Sequence, residues 1–164
     1  MELAKNNDLI PDKILLTHGH IDHAGGATEL SEILKVEIHG PHKEDKFLLD
    51  SLKSQGEMFG IPSRDCYPDK WFEEGDKVQI GEEILEVLFC PGHTPGHIIF
   101  FSKNSKLAIV GDVLFSRAFE LMVETNSLEV LRTLSPASCK ISEGEMNQLI
   151  SKNNPNTSTN DYIK

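Results

Sequence analysis

The hydrophobic pattern of the first forty residues predicts a pair of parallel strands. Residues 13–17 form a short apolar run that is typical of a buried strand. Residues 36–39 alternate between apolar and polar side chains and end at Gly40 and Pro41, as a second strand does. Because a helical pattern separates the two strands, we expect a parallel strand–helix–strand crossover, the basic unit of an α/β fold.

Two helices are predicted around these strands. The first follows Thr28, which we expect to cap it. Its apolar residues recur at helical spacing: Leu30, Ile33 and Leu34. The second helix is predicted over residues 43–54. Three residues are expected on its apolar face: Phe47, Leu48 and Leu52.

Antiparallel hairpins are predicted in the next part of the chain. Residues 55–71 carry scattered glycines and prolines, so we expect them to be irregular. Four strands that pair as two hairpins are predicted at residues 77–80, 83–89, 97–101 and 107–110. The first hairpin turns at Gly81. A short helix is expected at residues 126–134, and a frayed tail from residue 152.

Length and charge narrow the function classes. The chain has 164 residues, enough for a core of its own, and we expect a single domain over residues 1–164. The net charge is −10, which argues against nucleic acid or an anionic membrane surface as a partner. We expect no signal peptide, membrane span or disulfide framework, and therefore a soluble, cytoplasmic protein.

The seven histidines of the chain all lie before residue 98, and three of them fall within six positions. These three stand in the segment His18-Gly19-His20-Ile21-Asp22-His23. Residues two apart in an extended segment point to one side, so His18 and His20 can converge on one point. Asp22 and His23 can face a neighbouring point. Imidazole and carboxylate groups suit zinc, iron or manganese, so this pattern predicts a metal site.

Two residues further along the chain are candidate ligands of the same kind. His93 stands in a Pro- and Gly-rich loop, residues 90–96, between two predicted strands. Asp112 follows an apolar strand and Gly111, where a carboxylate is placed to bridge two ions. Each residue is weak evidence alone, but together with the histidine motif they strengthen the prediction of a metal site.

Three segments of the chain resemble, in order, signatures of the metallo-β-lactamase-fold hydrolases: His18-Gly19-His20-Ile21-Asp22-His23, Pro91-Gly92-His93-Thr94-Pro95-Gly96-His97 and Gly111-Asp112-Val113-Leu114-Phe115. The chain is most similar to the glyoxalase II-like branch, closely over residues 11–115 and loosely over residues 116–151. The resemblance implies an α/β fold, the αββα sandwich of that family.

The resemblance also implies a set of metal ligands. Three residues would hold a first ion: His18, His20 and His93. Two would hold a second ion, Asp22 and His23, and Asp112 would bridge the two ions. Asp22 would in addition act as the catalytic base. We expect zinc as the cofactor, with one or two ions per chain, and iron or manganese as other options.

Two departures from the family pattern change these expectations. Family members have strands ahead of the first motif, whereas this chain begins close to it. We therefore expect a sandwich that lacks its first strands, with an exposed sheet edge through which copies can associate. The family also supplies a last histidine to the second ion. No histidine follows His97, and Glu143 is the nearest match, as a weak ligand.

The other histidines and one cysteine have simpler interpretations. We expect His97 to be a hydrogen-bonding residue beside the ligands, and His39 and His42 to lie at the surface or at a pocket rim. Cys90 is expected to fill apolar space.

The function implied by the resemblance is that of a metal-dependent hydrolase acting on a thioester, as hydroxyacylglutathione hydrolases do, with hydroxide generated at the metal. The partner is then a small-molecule substrate. Two alternatives stay open: a catalytically impaired or inactive metal-binding remnant of the family, and a mononuclear iron enzyme similar to persulfide dioxygenases.

Overall fold

The computed structural model describes residues 6–7 and 9–113. They belong to two compact units, Met1–Phe72 and Glu73–Lys164. The predicted helix at residues 126–134, the tail from residue 152 and Glu143 lie outside the described residues. The single domain over residues 1–164 stays a prediction.

The first unit contains the predicted parallel pair of strands. Strand β1, Lys13–Leu15, pairs in parallel with β2, Glu37–His39. The crossover is therefore confirmed, although both strands are shorter than predicted. Strand β2 is followed by Gly40, whose φ is +83° and where a Cβ atom would lie 2.7 Å from the carbonyl oxygen of Leu16. Only glycine fits this turn without strain.

Within the described part of the chain, the sheet of the first unit has two strands. A sandwich that lacks the first strands of the family, and self-association through an exposed edge, stay predictions.

Four α-helices of the first unit are described: α1 at Ile21–Ala24, α2 at Ala27–Leu34, α3 at Lys46–Leu49 and α4 at Leu52–Phe59. A turn of 3₁₀ helix, Lys43–Asp45, leads into α3. The longest helices of the described residues have eight residues, which is too short to cross a membrane.

The predicted cap of α2 is wrong. Gly26 occupies the N-cap position, and the Thr28 hydroxyl, two residues further on, donates to the carbonyl of Asp65 over 3.1 Å. Thr28 therefore ties α2 to the segment after α4 instead of capping the helix.

The predicted helix over residues 43–54 is also wrong in its boundaries. It is broken into the 3₁₀ turn, α3 and α4, and α4 continues to Phe59, into residues expected to be irregular. The break has a local cause, because the Ser51 hydroxyl donates to the carbonyls of Phe47 and Leu48 over 2.9 and 3.0 Å. Such side-chain bonds compete with the backbone bonds that continue a helix.

The core of the first unit differs at one point from the predicted apolar face. Phe47 is 58% exposed, and Leu49 is fully buried in its place. The buried core consists of Leu16, Ala24, Ala27, Ile38, Leu49, Leu52 and Cys66. Burial raises the pKa of the Cys66 thiol, so this cysteine is a neutral core group.

The second unit contains a four-stranded antiparallel sheet in the order β3-β4-β5-β6. Its strands are Lys77–Ile80, Glu83–Phe89, Ile98–Ser102 and Leu107–Ile109. Both predicted hairpins are confirmed, and Gly81 turns the first with a φ of +58°. Strand β5 is buried along its whole length. Cys90 is fully buried in the core of this unit, as predicted.

Candidate metal centre

The first part of the candidate centre lies on the segment between β1 and α1. His18 is fully buried, and its Nδ1 atom lies 3.1 Å from the Thr17 hydroxyl. His20 keeps an extended backbone, with φ −74° and ψ 153°, and is the N-cap residue of α1. The ring centroids of His18 and His20 lie 5.0 Å apart, edge to face.

The short helix α1 adds two further side chains to this place. Asp22 lies in its first turn and His23 in its last. The ring of His23 lies 4.1 Å from that of His18, and its Nε2 atom lies 3.5 Å from Oδ2 of Asp22. The structure therefore brings four sequence-predicted residues together within the first unit. We call them the first cluster: His18, His20, Asp22 and His23.

Asp45 supports the first cluster and is not predicted from the sequence. Its carboxylate is fully buried and accepts a hydrogen bond from the backbone N–H of Gly19 over 2.8 Å. A Cβ atom on Gly19 would lie 2.9 Å from Cβ of Leu48, so the segment packs closely against α3. The neighbours of Asp45 are Glu44 and Lys46, and this charged setting is typical of a solvated turn. No pattern in the sequence signals that the carboxylate is buried.

The second part of the candidate centre lies in the second unit. His93 stands in the loop between β4 and β5, and its Nε2 atom lies 3.3 Å from Oδ2 of Asp112. Asp112 stands in a 3₁₀ turn, Gly111–Val113, directly after β6. We call His93 and Asp112 the second cluster.

His97 holds the backbone of the second cluster. It is fully buried, and its Nε2 atom accepts a hydrogen bond from the backbone N–H of Asp112 over 3.1 Å. The prediction that His97 is a hydrogen-bonding residue is confirmed by this contact.

His39 and His42 have local partners in the first unit. The Nε2 atom of His39 lies 2.7 Å from Oε2 of Glu37, and Nδ1 of His42 accepts from the backbone N–H of Glu44 over 3.3 Å. Both histidines are half-buried, as predicted for residues at the surface or at a rim.

The donor chemistry of both clusters fits a divalent transition metal. The first cluster offers three imidazoles and a carboxylate within six residues, and the second offers one imidazole and one carboxylate. Imidazole nitrogen and carboxylate oxygen are the ligands that zinc and iron take in proteins. Such a donor set on an α/β scaffold defines a candidate metalloprotein.

Comparisons with known proteins agree with this class. The family model of the metallo-beta-lactamase superfamily matches residues 3–153. The chain is 47% identical over 110 residues to hydroxyacylglutathione hydrolase GloC of Haemophilus influenzae, a match that covers 66% of this chain and 52% of that protein. It is 38% identical over 115 residues to the probable metallo-hydrolase YqgX of Bacillus subtilis, with coverages of 70% and 54%.

Solved structures give the same result. The fold matches that of TTHA1623, crystallised in a di-iron-bound form, with a TM-score of 0.61 and 32% identity over 70% of this chain and 56% of the other. The B3 metallo-beta-lactamase BLEG-1 matches with a TM-score of 0.59 and 27% identity, at the same coverages.

The chain therefore belongs to the metallo-beta-lactamase superfamily, and the predicted family and α/β fold class are confirmed. Its curated relatives include hydroxyacylglutathione hydrolases, as the predicted branch implies. The chain spans about half the length of the curated relatives it matches.

Proposed function

We propose that this protein is a metal-dependent hydrolase of thioesters that uses both clusters as one centre. In this proposal a first ion is held by His18, His20 and His93. Asp22 and His23 would hold a second ion, Asp112 would be a ligand shared by both ions, and Glu143 would be an additional weak ligand. The observation that carries the proposal is the first cluster, in which the ring of His18 lies 5.0 Å from that of His20 and 4.1 Å from that of His23.

The relatives support the choice of reaction and cofactor. GloC is named as a hydroxyacylglutathione hydrolase, which makes a thioester the proposed substrate class. TTHA1623 was crystallised with two iron ions, which supports a centre for two ions and makes iron an alternative to zinc. The net charge of −10 supports a small-molecule partner in preference to nucleic acid, and we infer a cytoplasmic location.

The side chains have distinct roles in the proposed reaction. A divalent ion, when bound, lowers the pKa of a coordinated water from about 15.7 towards 7 and polarises a carbonyl group. The carboxylate of Asp22 accepts the proton that the attacking water loses. The water oxygen forms a bond to the thioester carbonyl carbon and the carbon–sulfur bond breaks. The thiolate takes up the proton, so one water and one thioester give one carboxylic acid and one thiol.

Metal analysis of the purified full chain, paired with a thioesterase assay, tests this proposal. We expect one or two zinc or iron ions per chain and measurable hydrolysis. His18→Ala and His93→Ala should each lose the first ion, because water does not replace an imidazole ligand with equal strength. His39→Ala is the matched control, since His39 pairs with Glu37 outside both clusters, and should keep metal and activity.

Asp22→Asn tests the proposed base. The amide keeps the shape of the carboxylate but cannot accept the proton, so we expect at least one bound ion and a loss of about 10²–10⁴-fold in turnover. Turnover near the wild-type value would exclude the base role, and unchanged metal content in His18→Ala would exclude the ligand set. Metal-loaded protein without thioesterase activity would support the remnant alternative. One iron per chain with oxygen consumption would support the dioxygenase-like alternative.

A further inference from the structure

An open cavity of about 670 Å³ lies beside the first cluster, entirely within the first unit. This volume falls in the range of small-molecule binding sites in proteins. Two residues of the first cluster, His20 and Asp22, line it directly. A molecule in this cavity is therefore in contact with groups that the proposed function places at the reacting atoms.

The rest of the lining is apolar. It consists of Ile21 from α1, Leu48 from α3, Phe59 at the end of α4, and Ile61 just after that helix. Phe59 is 63% exposed and Ile61 is 47% exposed. Large apolar side chains that share a concavity with candidate metal ligands mark a surface that a ligand covers.

The charges of the lining select among ligands. Gln55 contributes a neutral amide, which donates to the Leu48 carbonyl over 3.0 Å and to the Ser51 hydroxyl over 3.1 Å. Asp22 is the acidic residue of the lining, and the described lining contains no lysine or arginine. A carboxylate at the apolar end of this cavity, beside Phe59 and Ile61, would lose part of its hydration and find no lysine or arginine of the lining to pair with it.

We propose that this cavity binds the acyl chain of the thioester, and that the preferred acyl group is uncharged and aliphatic. The proposal rests on the proposed function for the identity of the reacting bond. It adds the substrate class, which the ligand set does not determine. The acyl chain lies against Phe59 and Ile61, and the thioester carbonyl lies towards His20 and Asp22.

Thioesters of one uncharged thiol, N-acetylcysteamine, test the proposal on the metal-loaded full chain. The series compares acetyl, hexanoyl and succinyl groups. Each buried methylene favours binding by about fourfold, so we expect the KM for the hexanoyl ester to be at least about tenfold below that for the acetyl ester. The succinyl ester, which carries a carboxylate, should have the lowest kcat/KM of the three. Equal kcat/KM for all three esters would overturn the proposal.

Two variants localise the effect to the cavity. Phe59→Ser and Ile61→Ser should raise the KM for the hexanoyl ester about fivefold or more, and should leave kcat/KM for the acetyl ester within about twofold. Met58→Ser is the matched control, because Met58 is adjacent to Phe59 and 79% exposed but does not line the cavity. An equal effect of Met58→Ser, or no effect of the two cavity variants, would overturn the assignment. Thermal melts of each variant exclude misfolding as the cause.

A binding measurement separates this proposal from the proposed function. The hexyl thioether of N-acetylcysteamine has no bond to hydrolyse, and its affinity is measured by calorimetry on the same proteins. Binding that weakens in Phe59→Ser, in a protein that hydrolyses no thioester, would support the cavity and overturn the hydrolase proposal. Hydrolysis without any preference for the longer chain, and without thioether binding, would overturn the cavity and keep the hydrolase.

Discussion

The buried carboxylate of Asp45 accepts a hydrogen bond from the backbone N–H of Gly19, over 2.8 Å, between the two histidines that open the first cluster. A charged acceptor makes a stronger bond than a neutral one, so this contact fixes the peptide that separates His18 from His20. Asp45 belongs to a 3₁₀ turn that is 26 residues away in sequence. The orientation of the first cluster therefore depends on a part of the chain that carries no candidate ligand.

Asp45→Ala is expected to weaken metal binding without removing a ligand. The substitution leaves the Gly19 N–H without its acceptor, which costs about 1–3 kcal/mol of folding free energy. Partners of this kind typically change metal affinity by about 10–100-fold. Calorimetric titration with zinc measures this change. Asp45→Asn should recover most of the affinity, because its side-chain oxygen can still accept the bond.

Asp50→Ala is the control for this prediction, since Asp50 is exposed and pairs with Lys46 on the surface. It should bind zinc as the wild type does. If Asp45→Ala and Asp50→Ala had the same zinc affinity, Asp45 would have no positioning role.

Gly19→Ala and Gly26→Ala should differ in stability although they are the same chemical change. A Cβ atom at position 19 would lie 2.9 Å from Cβ of Leu48 and 3.2 Å from the carbonyl oxygen of Asp45. The surrounding backbone must shift, at a cost of about 1–3 kcal/mol. At position 26 no heavy atom lies within 4 Å of the added atom. Alanine at position 26 lowers the conformational entropy of the unfolded chain, which stabilises the fold. Alanine is also a weaker N-cap residue than glycine, which destabilises it, so the net change in the free energy of unfolding is small.

Urea unfolding of the two glycine variants measures this difference. Equal destabilisation of both would show that the packing of Gly19 against Leu48 is not a constraint on the segment.

The elements that follow from local sequence are the ones predicted correctly. The hairpin at Gly81 depends on a periodicity and a turn residue within a few positions, and the crossover from β1 to β2 follows from the order of two strand patterns with a helical pattern between them. Asp45 and Thr28 were not predicted in their actual roles, because both contact residues more than 25 positions away. Tertiary contacts of this kind leave no pattern in the neighbouring sequence.

The candidate ligands illustrate the same limit. His18, His20, Asp22 and His23 are close in sequence, so their proximity in the first unit follows from a strand that runs into a helix N-terminus. His93 and Asp112 are 19 positions apart, and their contact of 3.3 Å depends on the pairing of β4, β5 and β6. The sequence pattern predicts the pairing of β5 with β6 but not that of β4 with β5, and the resemblance to a family supplies what the pattern lacks.

The stability of the second unit should depend on pH through Glu83. The hydroxyls of Ser105 and Ser102 donate to its carboxylate, and these bonds lower its pKa below the usual value of 4.5. A folded-state pKa below the unfolded value means that the stabilisation is present above pH 4.5 and is lost as the pH falls through the lowered value. Glu83→Gln should therefore be less stable than the wild type at pH 7.

The stability difference between Glu83→Gln and the wild type should shrink below pH 4.5. Thermal melts from pH 3 to pH 7 measure it. Glu82→Gln, at the neighbouring exposed position of the same turn, is the control and should show no such trend. A difference that stayed constant over this range would contradict the role of the two hydroxyls.

His97 is expected to act on metal binding through Asp112. Its Nε2 atom accepts from the backbone N–H of Asp112 over 3.1 Å, which fixes the turn that presents the Asp112 carboxylate beside His93. His97→Ala removes the acceptor and leaves space in a buried position, so the free energy of unfolding should fall. The affinity for the metal ions that Asp112 is proposed to bind should also fall, by about 10–100-fold. His97→Gln offers a side-chain oxygen as acceptor and should recover part of the affinity. The visible spectrum of the cobalt-substituted protein reports ligand geometry independently of folding stability. A spectrum and affinity unchanged in His97→Ala would show that the turn holds Asp112 in place without the imidazole.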